Sequence, residues 1–116
     1  MRELWAVDTT VVSSWITYTE TAAAIASARR SGRISQRAMR EALAGLQREW
    51  DAVEALDVDG STSVDAAALA VRHGLRGMDA IHLASAVLFA DVDPVLVTWD
   101  TALQRAARAE GLTTSI

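Results

Sequence analysis

Apolar and β-branched residues gather in Val11–Ile16 and give way directly to an Ala-rich stretch, Tyr18–Arg30, that stops at Ser31-Gly32. The first run reads as a strand and the second as the helix it feeds. From Ser35 to about Leu56, the residues Met39, Leu43, Leu46, Trp50 and Val53 recur at alternating spacings of four and three. That period predicts a long amphipathic helix with Ser35 as its N-cap. Ala55–Val58 follows as a brief strand, and Ser63 caps a helix that runs through Val71 and halts at His73-Gly74. Met78–Phe89 carries Ile81, Ala84, Ser85 and Leu88 on one face, the pattern of a mostly buried helix. Pro94 opens the buried-strand pattern Val95–Trp99, Asp100 starts a helix that ends at Gly111, and Leu112–Ile116 forms a last short strand. Strands alternating with helices, without tight hairpin turns, predict an α/β fold whose parallel sheet is covered by helices.

The length of 116 residues fits one domain spanning 1–116, and a hydrophobic content of 51% suffices for a core without covalent staples. The chain has no Cys, which excludes disulfides, thiolate metal sites and a cysteine nucleophile and points to the cytoplasm. No basic start precedes a long apolar run, and no stretch approaches the roughly 20 apolar residues of a membrane span. A soluble, untargeted protein without membrane contact is expected. The net charge is −4, with no Lys and all of the formal positive charge on Arg. That acidic balance argues against a broad, sequence-independent grip on nucleic acid, while local Arg clusters can still supply one.

Three carboxylates fall where a strand yields to a helix or a buried helix begins: Glu20 after Val11–Ile16, Asp79 at the start of Met78–Phe89, and Asp100 after Val95–Trp99. In open parallel sheets the ligand crevice lies beyond the carboxyl ends of the strands, so Glu20 and Asp100 project toward one crevice and Asp79 can join from its helix. Hard cations such as Mg²⁺ or Mn²⁺ take oxygen ligands and leave positions for a phosphate and an attacking water, which is nuclease chemistry. Each acid also suits a purely structural duty. Thr17 and Glu20 match a capping box, Asp79 favours the positive end of a helix dipole, and Asp100 is a good N-cap.

His82, one turn after Asp79, reads more readily as a hydrogen-bonded core residue than as a ligand. His73 beside Gly74 complements a helix C-terminus, and neither histidine has a partner at zinc-site spacing. Ser13 and Ser14 lie in no nucleophile elbow, and no glycine-rich phosphate loop is present. Arg29, Arg30, Arg33, Arg37 and Arg40 form the densest basic stretch. It reads as solvated surface, or as a grip on an RNA backbone if it flanks the acidic crevice. Trp99 precedes Asp100 and is a candidate for base stacking.

Three segments taken together, Val11–Glu20, Arg76–Ala86 and Leu96–Asp100, resemble PIN-domain ribonucleases, especially the VapC-type toxins of bacterial toxin–antitoxin pairs. The resemblance runs in order from about Val11 to Gly111, and Arg76-Gly77-Met78-Asp79-Ala80-Ile81-His82-Leu83-Ala84-Ser85-Ala86 is its most specific part. It implies a three-layer α/β/α fold, RNA cleavage dependent on Mg²⁺ or Mn²⁺, a homodimer, and a VapB-like antitoxin that blocks the acidic pocket. The family's second, third and fourth acids map to Glu20, Asp79 and Asp100 as catalytic and metal-binding residues, with Thr98 as a supporting hydroxyl. The departure is at the front, where the family has a strand ending in Asp followed by a helix. Asp8 lies too close to Val11 for the crossover that parallel strands need. Met1–Asp8 is therefore read as the end of the family's first helix and its turn, with the first strand and first acid absent from this sequence. Two functions follow from different classes. One is a metal-dependent endoribonuclease toxin, and the other is a catalytically inactive PIN-like remnant that binds an antitoxin or dimerises.

Overall fold

The computed structural model describes residues 10–115, so the reading of Met1–Asp8 lies outside the described residues. The chain divides into two compact units, the first ending at Asp57 and the second beginning at Val58.

In the first unit, β1 (Val11–Ser14) leads into α1 (Trp15–Arg30), which is followed by α2 (Gln36–Trp50) and β2 (Val53–Leu56). β1 and β2 pair in parallel, with Val11 opposite Val53 and Ser14 opposite Leu56. Two sequence expectations shift here. The first helix begins at Trp15 rather than Tyr18, with Ser14 as its N-cap, so Thr17 and Glu20 lie inside the helix and make no capping box. Thr17 instead accepts a hydrogen bond from the Ser13 hydroxyl at 2.7 Å, which ties the end of β1 to the first turn of α1. The second helix stops at Trp50 rather than near Leu56, and Val53 belongs to β2. Its apolar spacing continued the helical period by coincidence, because a β-branched residue fits either element and the parallel ladder with β1 decides. The N-cap is as predicted: the Ser35 hydroxyl accepts from the Ala38 N–H at 3.0 Å.

Trp15, Tyr18 and Trp50 form an aromatic cluster with ring centroids 5.5 to 5.9 Å apart in edge-on and tilted contacts. Such contacts add about 0.5–1.5 kcal/mol each beyond area burial and fix the start of α1 against the end of α2.

The second unit contains α3 (Gly60–His73), α4 (Gly77–Val87), a short 3₁₀ turn (Ala90–Val92), β3 (Val95–Val97), α5 (Thr101–Ala109) and β4 (Thr113–Ser115). β3 and β4 run parallel, with Val95 opposite Thr113 and Val97 opposite Ser115, and α5 makes the crossover between them. Asp59, not Ser63, caps α3, its carboxylate accepting from the Thr62 N–H at 2.8 Å. That bond holds the Asp59 carboxyl below its ordinary pKa. α4 ends at Val87, two residues before the predicted Phe89.

Small residues on α3 and α4 set the packing. Ala66, Ala80 and Ala84 let the two helices approach closely, and Leu69, Leu83 and Leu103 fill the space between α3, α4 and α5. Leu83 and Ala107 are wholly buried. Between α3 and α4 the chain reverses at Gly74, whose φ of 65° lies in the left-handed region that favours glycine. The Leu75 N–H returns to the Ala70 carbonyl at 3.1 Å, the bond that closes a Schellman-type helix end. In both units the strands pair in parallel and helices make the crossovers, which is the α/β/α class with parallel pairing expected from the sequence. No described helix is long and apolar enough to cross a membrane.

Candidate functional site: an acidic pair around one guanidinium

β3 and α4 deliver the two acids of the second unit. Thr98 continues the strand pairing by one residue, its N–H bonding the Ser115 carbonyl at 3.0 Å, and its own carbonyl accepts from the Gln104 side chain at 2.8 Å. Asp100 follows as the N-cap of α5. Its Oδ1 accepts from the Leu103 N–H at 2.8 Å, and its backbone N–H donates to Thr98 Oγ1 at 3.1 Å. The Thr98 hydroxyl therefore holds the backbone of the acid beside it. Asp79 is the third residue of α4, in the first turn, where the helix dipole favours a negative charge.

Arg76, the N-cap of α4, brings these two acids to one place. Its Nε lies 3.5 Å from Asp79 Oδ2 and its Nη2 lies 3.6 Å from Asp100 Oδ2. Both separations are those of ion pairs rather than hydrogen bonds. The side chains of Asp79 and Asp100 are 21% and 34% exposed, while that of Arg76 is 83% exposed, so the cation lies on the solvent side of a half-sheltered acidic pair. Sequence reasoning passed over Arg76. Its signal was the spacing to Asp79, three residues on at a helix start, where two side chains face each other.

The remaining predicted residues are distributed as follows. Glu20 is exposed in the second turn of α1, in the first unit. Arg29 donates to the Gln36 side chain at 3.2 Å, Arg33 to Ser31 Oγ at 3.0 Å, and Arg37 pairs with Glu41 at 3.1 Å. Arg30 and Arg40 are exposed. Three of the five arginines thus serve the α1–α2 turn and the first turns of α2. His82 is half-buried, and Trp99 is 66% exposed next to Asp100. His73, the last residue of α3, has its Nε2 2.7 Å from Glu110 Oε2, and Arg72 donates to the same oxygen at 2.8 Å. The hydrogen bond from His73, followed by that from Arg72, holds the Glu110 carboxyl below its ordinary range. That cluster ties the end of α3 to the end of α5, a role the sequence pattern did not reveal.

Mg²⁺ and Mn²⁺ take several hard oxygen donors, and two carboxylates are the right donor type. Here, though, Asp100 Oδ1 is engaged by the helix cap and Thr98 Oγ1 by a backbone N–H. Among the described residues no group of three or more His, Asp or Glu is placed to hold a metal ion. The donors described therefore fall short of a three-acid metal centre. What the arrangement does is hold a cationic side chain between two carboxylates.

The PIN domain family matches residues 1–109. Two curated relatives, "Ribonuclease VapC45" of Mycobacterium tuberculosis (strain CDC 1551 / Oshkosh) and "Ribonuclease VapC49" of Mycobacterium tuberculosis (strain ATCC 25618 / H37Rv), are each 33% identical to it over 108 residues. Each alignment covers 93% of this chain and 75% of the relative. With nearly the whole chain matched, and at that identity to VapC-type proteins, the chain belongs to the PIN-domain family.

Proposed function

We propose that this chain is a partner-binding PIN module of the VapC type, which engages an antitoxin or a second copy of itself rather than hydrolysing RNA. The observation that carries this reading is the single guanidinium shared by Asp79 and Asp100, in a chain whose described residues assemble no group of three metal-capable side chains. Two half-sheltered carboxylates that accept one Arg can accept another. A planar guanidinium matches carboxylate geometry and is weakly hydrated, so it is the natural cation for such a pair. A basic side chain from a VapB-like antitoxin fits the same chemistry.

A second reading, favoured by the ribonuclease names of both relatives, is a Mg²⁺- or Mn²⁺-dependent endoribonuclease toxin. In it Glu20, Asp79 and Asp100 serve as catalytic and metal-binding acids, Thr98 supports them, and Arg29, Arg30, Arg33, Arg37 and Arg40 contact the RNA backbone. A bound divalent ion would supply an activated water and charge stabilisation at the phosphate. One assay separates the two. A structured RNA is incubated with the purified chain in Mn²⁺, with an EDTA control and an Asp79→Ala control. The binding-module reading expects the same background in all three lanes. Cleavage that disappears in both controls would replace it with the ribonuclease.

A further inference from the structure

α3 is apolar nearly all the way round. Its charged residues are Asp65, Arg72 and His73, and its buried residues are Thr62, Ala66 and Leu69. The opposite face is apolar as well: Val64 is 70% exposed, Val71 is 88% exposed, and Ala67 and Ala68 are exposed between them. A helix with one side in water ordinarily carries polar residues there, so an apolar outer face calls for a cover. Beside it lies a groove of about 310 Å³, lined by Ala68 and Leu69 of α3, by Val87 and Leu88 at the end of α4, and by the charged residues Asp65 and Arg72.

The charges indicate what the cover is. Asp65 and Arg72 stand about two helical turns apart on one face of α3. Against an antiparallel copy of α3, each Asp65 falls beside the other copy's Arg72, so the surface satisfies itself at both ends; a parallel copy sets like charges together. Arg72 is already held in place by its Nη1 bond to Glu110 at 2.8 Å, and its remaining N–H groups are left to donate. The same patch carries both an exposed apolar knob, Leu88, and a groove to receive one, as an interface closed by a two-fold axis requires. Ala67 and Ala68, midway between Val64 and Val71, let two helix backbones approach closely. We infer that this outer face of α3, with the groove beside it, is the contact between two copies of the chain, paired antiparallel about an axis near Ala68. Val87 lies about 12 Å along α4 from Asp79, so the pairing uses neither acid of the candidate site and depends on neither reading above. One helix face per copy buries on the order of 1,000 Å² in total, near the lower limit for a specific interface, so the dimer is reversible.

The test is sedimentation velocity of the full chain from about 1 to about 200 µM, over which monomer is expected to pass to dimer. Val71→Asp, at a position too exposed to disturb the core, is expected to weaken association at least tenfold, and Asp65→Arg, which sets like charge against Arg72, weakens it too. Gln47→Glu, which adds a negative charge on the exposed side of α2, leaves it unchanged. Because the chain has no Cys, engineered thiols read the orientation directly. Ala68→Cys alone forms a disulfide-linked dimer, whereas Ser61→Cys, carried about 20 Å from its counterpart by the antiparallel arrangement, does not. Association that persists in Val71→Asp and Asp65→Arg, or linkage of Ser61→Cys as ready as that of Ala68→Cys, overturns the inference. A wild-type chain that stays monomeric throughout the range also overturns it and leaves the face to a different protein.

Discussion

Asp100 carries a different duty on each carboxylate oxygen, and substitution separates them. Oδ1 caps α5 through the Leu103 N–H at 2.8 Å, and Oδ2 faces the Arg76 guanidinium at 3.6 Å. Asp100→Asn keeps an oxygen for the cap and removes the charge, while Asp100→Ala removes both. Loss of a side-chain N-cap costs about 1 kcal/mol, within a range of about 0.5–2. An ion pair whose Arg is this exposed is worth about 0.2–1 kcal/mol. α5 places Leu103, Ala106 and Ala107 in the core, each no more than 3% exposed, so fraying of its first turn reaches buried residues directly. Asp100→Ala should therefore lose about 1.5 kcal/mol and Asp100→Asn about 0.5. Urea unfolding with unchanged slope reads both values. Salt separates the contributions further: at about 1 M the Debye length falls to about 3 Å, so the deficit of the Asn variant shrinks while the gap between Asn and Ala persists. Equal destabilisation by Asn and Ala, or a gap between them that vanishes in salt, would refute the division of labour.

Three further outcomes follow from the second unit. Glu110 is held below its ordinary value near 4.5 by His73 first and Arg72 second, so its contribution is present above that value and is lost as pH falls through the depressed one. Urea unfolding should show wild type losing more stability than Glu110→Gln between about pH 6 and about pH 3; parallel losses would contradict it. At Gly74 no atom crowds an added Cβ, and φ is 65°, so Gly74→Ala should cost about 1–2 kcal/mol from backbone conformation alone. A Gly74→Asn variant, better suited to that region, should recover part of it in the same assay. Leu83, with no exposed surface, should lose about 2–5 kcal/mol on truncation to Ala, while Leu88, 57% exposed, should change by about 0.5 kcal/mol or less.

The order of elements was legible in the sequence because each leaves a local mark. Ser35 and Asp100 cap helices as their side chains advertise, and glycines end α3 and α5 where the pattern breaks. The boundaries set by non-local pairing were not legible. Val53 kept the helical period of α2, and only its parallel register with Val11 assigns it to a strand. Thr17 and Glu20 imitated a capping box because β1 gives way to helix three residues earlier than the β-branched run suggested. Asp79 and Asp100 were recognisable from their positions at helix starts, 21 residues apart. The spacing of Arg76 to Asp79 hinted at one half of the cation's contacts, but its second contact, to Asp100, was not legible because it joins residues 24 apart that only the fold brings together. The His73–Glu110 contact was hidden for the same reason, spanning 37 residues of chain.

The central claim is that the Asp79–Asp100 pair binds a cationic partner group. The most direct measurement is binding of a VapB-type antitoxin from the same genome to the full chain by isothermal titration, comparing wild type with Asp79→Asn/Asp100→Asn, which keeps the α5 cap. The account predicts binding by wild type and at least a tenfold loss in the double variant, about 1.4 kcal/mol. Equal affinities, with both proteins folded, would contradict it and move the partner surface away from the acidic pair.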